Sequence, residues 1–369
     1  MSGTRRILIL VSFVNLAGAQ IAALRLARGL RDRGHDPRVV FLYQVMPIPK
    51  PDHPYEVLCE TRPGAAGYAS LVSAVARLVR QEKPEVVLTF MPFASALGQA
   101  AAMIGGARRR VISHRVPVAT IRPVWRILDM LWAWLGVYTD VVAVSDGVRQ
   151  GCQGYPSWLR RRTVVVYNGL FDWQPSRLDR TAAQQLFGVP EGALVLAAVG
   201  RLAPQKNYPL LLRVLQHIDN VVLLVAGEGK DGDVLQAMAA ELGVANKIRF
   251  LGSLSRGAVP DLLAAADIFV QSSTFEGQSN ALLEALQAGL PVIAHDVPEQ
   301  RETIADGDGD AAGALVPLND VDAWVAAIER LRSNPDAIHA ARQVAARRAQ
   351  LFRFERMVNG FERVLTAPR

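Results

Sequence analysis

From the N-terminus to about position 170, short runs of Val, Ile and Leu alternate with longer stretches whose apolar residues recur every three or four positions. The runs at 7–14, 37–42, 86–89, 110–114, 141–145 and 163–167 read as strands, and the stretches 20–33 and 68–81 as helices. Strands crossed by helices in this way predict a parallel sheet. The pattern breaks at Asn168-Gly169 and Pro175-Ser176 and then restarts. Strands are expected at 193–199, 221–226, 248–251, 268–271 and 291–294, with helices at 177–187, 233–242, 259–264 and 281–287. The tail is helical from 322 to 332 and again from about 336 to the end, with Pro335 between. The expected class is α/β: two similar parallel-sheet domains, 1–170 and 171–349, and a terminal helix at about 350–369 long enough to pack back across the first.

Two apolar segments test whether the chain enters a membrane. Residues 7–11 are followed by Asn15, Gly18 and Gln20 instead of a cleavage site, which fits a buried first strand. Residues 124–144 are interrupted by Arg126, Asp129, Gly136 and Asp140, so no spanning helix is expected. Within that segment Trp125, Leu128, Trp132 and Leu135, with Val124, Ile127, Leu131 and Trp134, form an apolar stripe at helical spacing. Core packing is the favoured reading of the stripe, and contact with a hydrophobic acceptor or a bilayer the other.

At 369 residues and 50% hydrophobic content the chain has material for two sizeable cores, which excludes a disordered protein and a minimal binding module. Cys59 and Cys152 stand far apart in no metal-ligand spacing, which fits a reducing, cytoplasmic setting without disulfides. The net charge of +7 is uneven: residues 1–170 hold 22 Lys/Arg against 10 Asp/Glu, the remainder 19 against 24. A basic first half suits an anionic acceptor or peripheral contact with an anionic membrane at the inner face of the plasma membrane, although a solvated Arg-rich surface explains it equally. Nucleic acid is not expected as a partner, because the Arg108-Arg109-Arg110 and Arg160-Arg161-Arg162 runs lack an aromatic stacking ladder.

Ligands of open parallel sheets sit beyond the strand C-termini, so the loops there carry the candidate chemistry. After the first strand comes Asn15-Leu16-Ala17-Gly18-Ala19-Gln20, where Gly18 permits a close backbone approach to phosphate or is an ordinary turn glycine. After the strand at 193–199 comes Gly200-Arg201-Leu202-Ala203-Pro204-Gln205-Lys206-Asn207, whose two cations can meet a diphosphate. A surface loop with a helix cap is the alternative. The third segment runs from Ser273 to Glu284: Glu276 sits in the loop, Glu284 lies in the following helix, and the backbone amides of Gly277, Gln278, Ser279 and Asn280 lie near its N-terminus. His114 follows a strand, beside Arg115, and is expected at a cleft rim where its imidazole can meet a substrate hydroxyl. No nucleophile elbow, HExxH or clustered His/Asp spacing is present, so hydrolase and metal-enzyme readings lose ground.

Taken together, Gly200-Arg201 with Gln205-Lys206-Asn207, the Gly227-Glu228-Gly229 turn, and Glu276 to Glu284 running into Ala288-Gly289-Leu290-Pro291-Val292-Ile293 resemble the GT4 family of retaining glycosyltransferases. The resemblance runs the length of the chain and is most specific from Val199 to Ile304. It implies a GT-B fold, two Rossmann-like domains facing a central cleft, the second holding a nucleotide-diphosphate sugar and the first shaping the acceptor site. Arg201 and Lys206 would bind the diphosphate, Glu284 the ribose, Glu276 the sugar hydroxyls, and the backbone of Gly277 to Asn280 further sugar oxygens. His114 would approach the donor sugar, and Gly18-Ala19 the phosphates. The sequence departs from the family pattern at Ala17, where a second glycine is frequent, and at Gly277-Gln278-Ser279-Asn280, where Gly-Phe-Gly is common.

The resemblance also implies a metal-independent, cofactor-free enzyme, and the Ala- and Arg-rich composition suggests a high-GC bacterial source. The donor is a co-substrate, UDP-glucose or UDP-N-acetylglucosamine in preference to a GDP-sugar. The acceptor supplies a hydroxyl and is either a lipid-linked or cell-envelope glycan or a small soluble intermediate. A GT-B-fold UDP-sugar epimerase and a non-catalytic nucleotide-sugar or glycan-binding protein are the alternatives. Oligomeric state is not legible in the sequence.

Overall fold

The structure is a computed structural model that describes residues 4–14, 18–48, 51–255, 257–306 and 309–367. The chain forms two compact units: residues Met1–Phe171 with Arg353–Arg369, and Asp172–Phe352. Each is built on one parallel sheet.

The first unit contains β1 (Arg6–Val14), β2 (Asp36–Gln44), β3 (Tyr55–Val57), β4 (Val86–Phe90), β5 (Arg109–His114), β6 (Asp140–Ala143) and β7 (Thr163–Val165), in the order β3-β2-β1-β4-β5-β6-β7. The run at 7–14 is indeed a buried strand, third in the order and paired on both sides. Seven of its nine residues are buried, because helices cover both faces and leave no polar side to alternate with. Among the described residues, sequence reading overlooked β3, whose three residues at the sheet edge, two half-buried and one exposed, are too few to display a period.

The terminal segment does not continue as one helix. Pro335–Ala349 ends in a tight turn over Gln350–Phe352, and a separate helix, Phe354–Thr366, belongs to the first unit. Its Met357, Val358, Phe361 and Leu365 are buried with the residues of β1 and β4, and Phe361 stacks on Phe90 at 6.0 Å. Gly29 in the helix Gly18–Arg31 leaves room for Val358, since a Cβ there would lie 2.6 Å from its methyl. Arg33 and His35 bind Glu362, at 2.5 and 3.1 Å.

The second unit contains β8 (Leu194–Val199), β9 (Val221–Ala226), β10 (Ile248–Phe250), β11 (Ile268–Gln271), β12 (Val292–His295) and β13 (Gly313–Val316), in the order β10-β9-β8-β11-β12-β13. The edge strand β13 was not expected. Gly313, with φ of 146°, makes it possible, because a side chain there would strike the Val292 carbonyl at 1.9 Å. In each sheet the strand order reverses direction once, between β1 and β4 and between β8 and β11. A crevice opens at such a point because neighbouring loops lead away to opposite faces.

Candidate active site

In the second unit the loops leaving β8 and β11 meet at that switch point. Lys206 ends the short turn Pro204–Lys206 and its Nζ lies 2.6 Å from Glu276 Oε1. The side chains are 15% and 10% exposed, so each charge is largely withdrawn from water and depends on the other. The Lys206 stem crosses directly over Gly200, where an added Cβ would lie 2.7 Å from its Cε. The two loops are knitted together by further bonds: Thr274 N–H donates to Gln205 O, Gln205 Nε2 to Phe275 O, and Ser272 Oγ to Lys206 O. Arg201, five positions before Lys206, is exposed.

The turn after β9 supports the same loop. Gly227 N–H donates to Gly252 O, and Leu202 N–H donates to Glu228 O at 3.0 Å. Only glycine fits at Gly227, whose φ is 140° and whose missing Cβ would meet the Gly200 carbonyl at 2.1 Å. Tyr208 Oη donates to that carbonyl, and burial raises its phenol well above the ordinary range, so it stays a donor.

The helix Asn280–Gln287 begins at the end of the Glu276 loop. Ser279 is its N-cap: the hydroxyl donates to Gln271 Oε1 at 2.7 Å and accepts from Leu282 N–H. Gly277, Gln278 and Ser279 are buried, whereas Asn280 and Glu284 are half-buried. Glu276 sits in the loop, as sequence reading expected, and is buried there as the partner of Lys206. Glu299, in the helix Pro298–Ile304, is a second buried carboxylate. Burial raises it above the usual range, and the charges of Glu302 and Glu276 raise it further.

In the first unit, Gly18 and Ala19 open the helix Gly18–Arg31, exposed and half-buried, so the helix N-terminus stands beyond the end of β1. Asn15, Leu16 and Ala17 lie outside the described residues. His114 ends β5, but it is not at an open rim: it is 5% exposed. Its Nε2 lies 2.7 Å from Tyr155 Oη, and Tyr155 in turn donates to Asp129 Oδ2. Tyr138 donates to the other Asp129 oxygen at 3.2 Å. A tyrosine hydroxyl has one proton, which Tyr155 gives to Asp129, so Tyr155 accepts from His114 Nε2–H. Burial, then the Asp129 charge, holds both phenols far above their ordinary range. Beside them Arg115 lies against the Phe90 ring at 5.5 Å and donates to Asn168; burial pulls its guanidinium down to about 10, still charged at neutral pH.

Asp129 and Tyr155 were missed by sequence reading. A lone carboxylate among the Trp and Leu residues of 124–135 was the available signal, since a buried charge in an apolar helix needs a polar partner. Among the described residues no group of three His, Cys, Asp or Glu is arranged to hold a metal ion.

Comparison with known proteins adds to this geometry. A family model described as Glycosyltransferase Family 4 matches residues 16–170, and one described as Glycosyl transferases group 1 matches residues 179–350. The solved structure of Anabaena HepE in complex with UDP-glucose superposes with a TM-score of 0.84 over 98% of this chain and 100% of its own, at 20% identity. The chain has the GT-B fold, and each of its two units carries the match to one glycosyltransferase family model.

Among curated relatives of this GT-B chain, the D-inositol 3-phosphate glycosyltransferase of Mycolicibacterium smegmatis is 34% identical over 191 residues, 49% of this chain and 43% of that protein. The chain thus matches less than half the length of that relative. The lipopolysaccharide core biosynthesis glycosyltransferase LpsE of Rhizobium meliloti is 26% identical over 257 residues, 70% of this chain and 68% of its own.

Proposed function

We propose that this chain is a retaining glycosyltransferase of the GT4 type that moves a sugar from a UDP-sugar to an acceptor hydroxyl. The observation that carries this reading is the Lys206–Glu276 pair at the β8/β11 switch point, with Gly200 clearing the lysine's path and Arg201 at the same strand exit. A strand exit that presents two cations suits a diphosphate, and a carboxylate held beside one of them suits the hydroxyls of the attached sugar. Arg201 and Lys206 hold the diphosphate, Glu276 and the backbone of Gly277 to Asn280 the sugar, and Glu284 the ribose. Gly18 and Ala19 offer amides to the phosphates, and His114 approaches the donor sugar. UDP is favoured over GDP because the superposing HepE structure holds UDP-glucose.

The acceptor oxygen attacks the anomeric carbon on the face from which the diphosphate departs. The C–O bond to the phosphate breaks, and the acceptor proton passes to the departing phosphate oxygen. Arg201 and Lys206 lower the barrier by meeting the charge that builds on that oxygen.

Calorimetric titration with UDP, GDP and ADP tests the donor half. UDP should bind selectively, and Arg201→Ala should weaken it about ten-fold or more, the worth of a lost charge-assisted hydrogen bond. Absence of selective nucleotide binding would remove the proposal. An epimerised sugar nucleotide formed without acceptor would replace transfer by isomerisation.

A further inference from the structure

The stripe at 124–135, for which core packing was the favoured reading, is half uncovered. Trp125, Leu128 and Trp132 turn inward and are half-buried. Val124, Ile127, Leu131, Trp134 and Leu135 form the outer face of the helix Pro123–Trp134 and its exit, each 45–66% exposed. The apolar surface continues past the helix end. Trp134 donates its indole N–H to Gly154 O, three residues before the short helix Ser157–Arg160 with its exposed Trp158. Trp158, Gly136 and Met103 line a shallow surface hollow of about 610 Å3 with Arg108, Arg110 and Arg162, and no carboxylate stands among its described lining residues.

Charge is the second observation. Between Arg108 and Arg162 the chain carries ten arginines and three aspartates. Two of those aspartates, Asp129 and Asp140, are buried, and Asp146 pairs with Arg149. Arg108, Arg160, Arg161 and Arg162 are exposed. The outer face is therefore apolar at its centre and cationic at one end.

We infer that this face docks the protein on an anionic lipid bilayer. The helix lies in the interface with Val124, Ile127, Leu131 and Leu135 among the acyl chains, Trp134 and Trp158 at headgroup depth, and the arginines on lipid phosphates. No helix of the described residues is long and apolar enough to cross a membrane, so the contact is one of lying on the surface. Nucleic acid has no use for the aliphatic stripe. The inference rests on exposure and charge in the first unit and is independent of the donor reading.

Co-sedimentation of the full chain with vesicles tests it, using phosphatidylcholine alone and with about one third phosphatidylglycerol. Binding is expected only to the anionic vesicles and should weaken as salt is added. The triple variant Ile127→Ser, Leu131→Ser, Trp134→Ser and the separate variant Arg160→Glu, Arg161→Glu, Arg162→Glu should each lose about ten-fold or more in vesicle affinity. Their circular dichroism and UDP titration should match the parent, which separates docking from folding and from the donor site. Failure of the parent to bind either vesicle, or variants that bind as it does, would overturn the inference. So would self-association that the apolar variant abolishes in a protein that ignores vesicles.

Discussion

Gly200 and Gly227 stand near one another yet are glycine for different reasons, and the difference is measurable. A methyl at Gly200 meets the flexible end of Lys206, which can move aside. Gly200→Ala should therefore cost about 1 kcal/mol or less in stability while weakening UDP binding about ten-fold, read by parallel denaturation and titration. A methyl at Gly227 meets backbone in a conformation that side chains avoid. Gly227→Ala should destabilise by about 2–4 kcal/mol in the same denaturation experiment. The motif residues Gly200, Arg201, Lys206, Glu276 and Glu284 were visible in sequence because each sits at a strand exit or in the helix that follows one. Asp129 was read only as an interruption of an apolar run, since its two hydrogen-bond partners come from just past the helix exit and from a turn 26 residues on. Glu299 yields a pH test. Burial makes its carboxyl hold a proton more tightly in the folded than in the unfolded chain, so its contribution is favourable at acid pH and is lost as the pH rises from 4.5 through the raised value. Glu299→Gln should raise the melting temperature at pH 7 and leave it nearly unchanged at about pH 4.

The helix Phe354–Thr366 is the element whose position the pattern of residues reveals least. Its apolar face announces a packed helix, but a stripe of Met357, Val358, Phe361 and Leu365 is compatible with any apolar surface. Gly29, Val166 and Phe90 decide which surface it covers, by providing a notch, a contact for Gly360 and a ring to stack on. Phe361→Ala should cost about 3–5 kcal/mol in denaturant unfolding. Glu362 anchors the same helix: burial alone would raise its carboxyl, but hydrogen bonds from Arg33 and His35 outweigh that and hold it below the usual range. A depressed carboxylate stabilises above its unfolded value and loses that effect as pH falls through the folded one. The helix Pro123–Trp134 shows the converse difficulty. Its stripe was legible, but periodicity does not distinguish a covered apolar face from an uncovered one, and here both occur on one helix.

Taken as a molecule, the chain has one unit that is continuous in sequence and one that is not. Asp172–Phe352 contains its own core around Trp324, Leu212 and Val225, so that fragment should express alone, unfold cooperatively and bind UDP if the donor half-site is as proposed. Met1–Phe171 without Arg353–Arg369 leaves Phe90 and Val166 uncovered and should aggregate or lack a cooperative melt. Strand and helix identity, the α/β class and the site motifs follow from local chemistry: β-branched runs favour strands, and small and charged residues gather at the turns that end them. Strand order, the return of the last helix, the depth of His114 and the company of Asp129 depend on contacts between residues far apart along the chain. Local composition carries no record of such contacts, because an apolar face fits many partners and a buried charge acquires its partner only when the surrounding elements have packed.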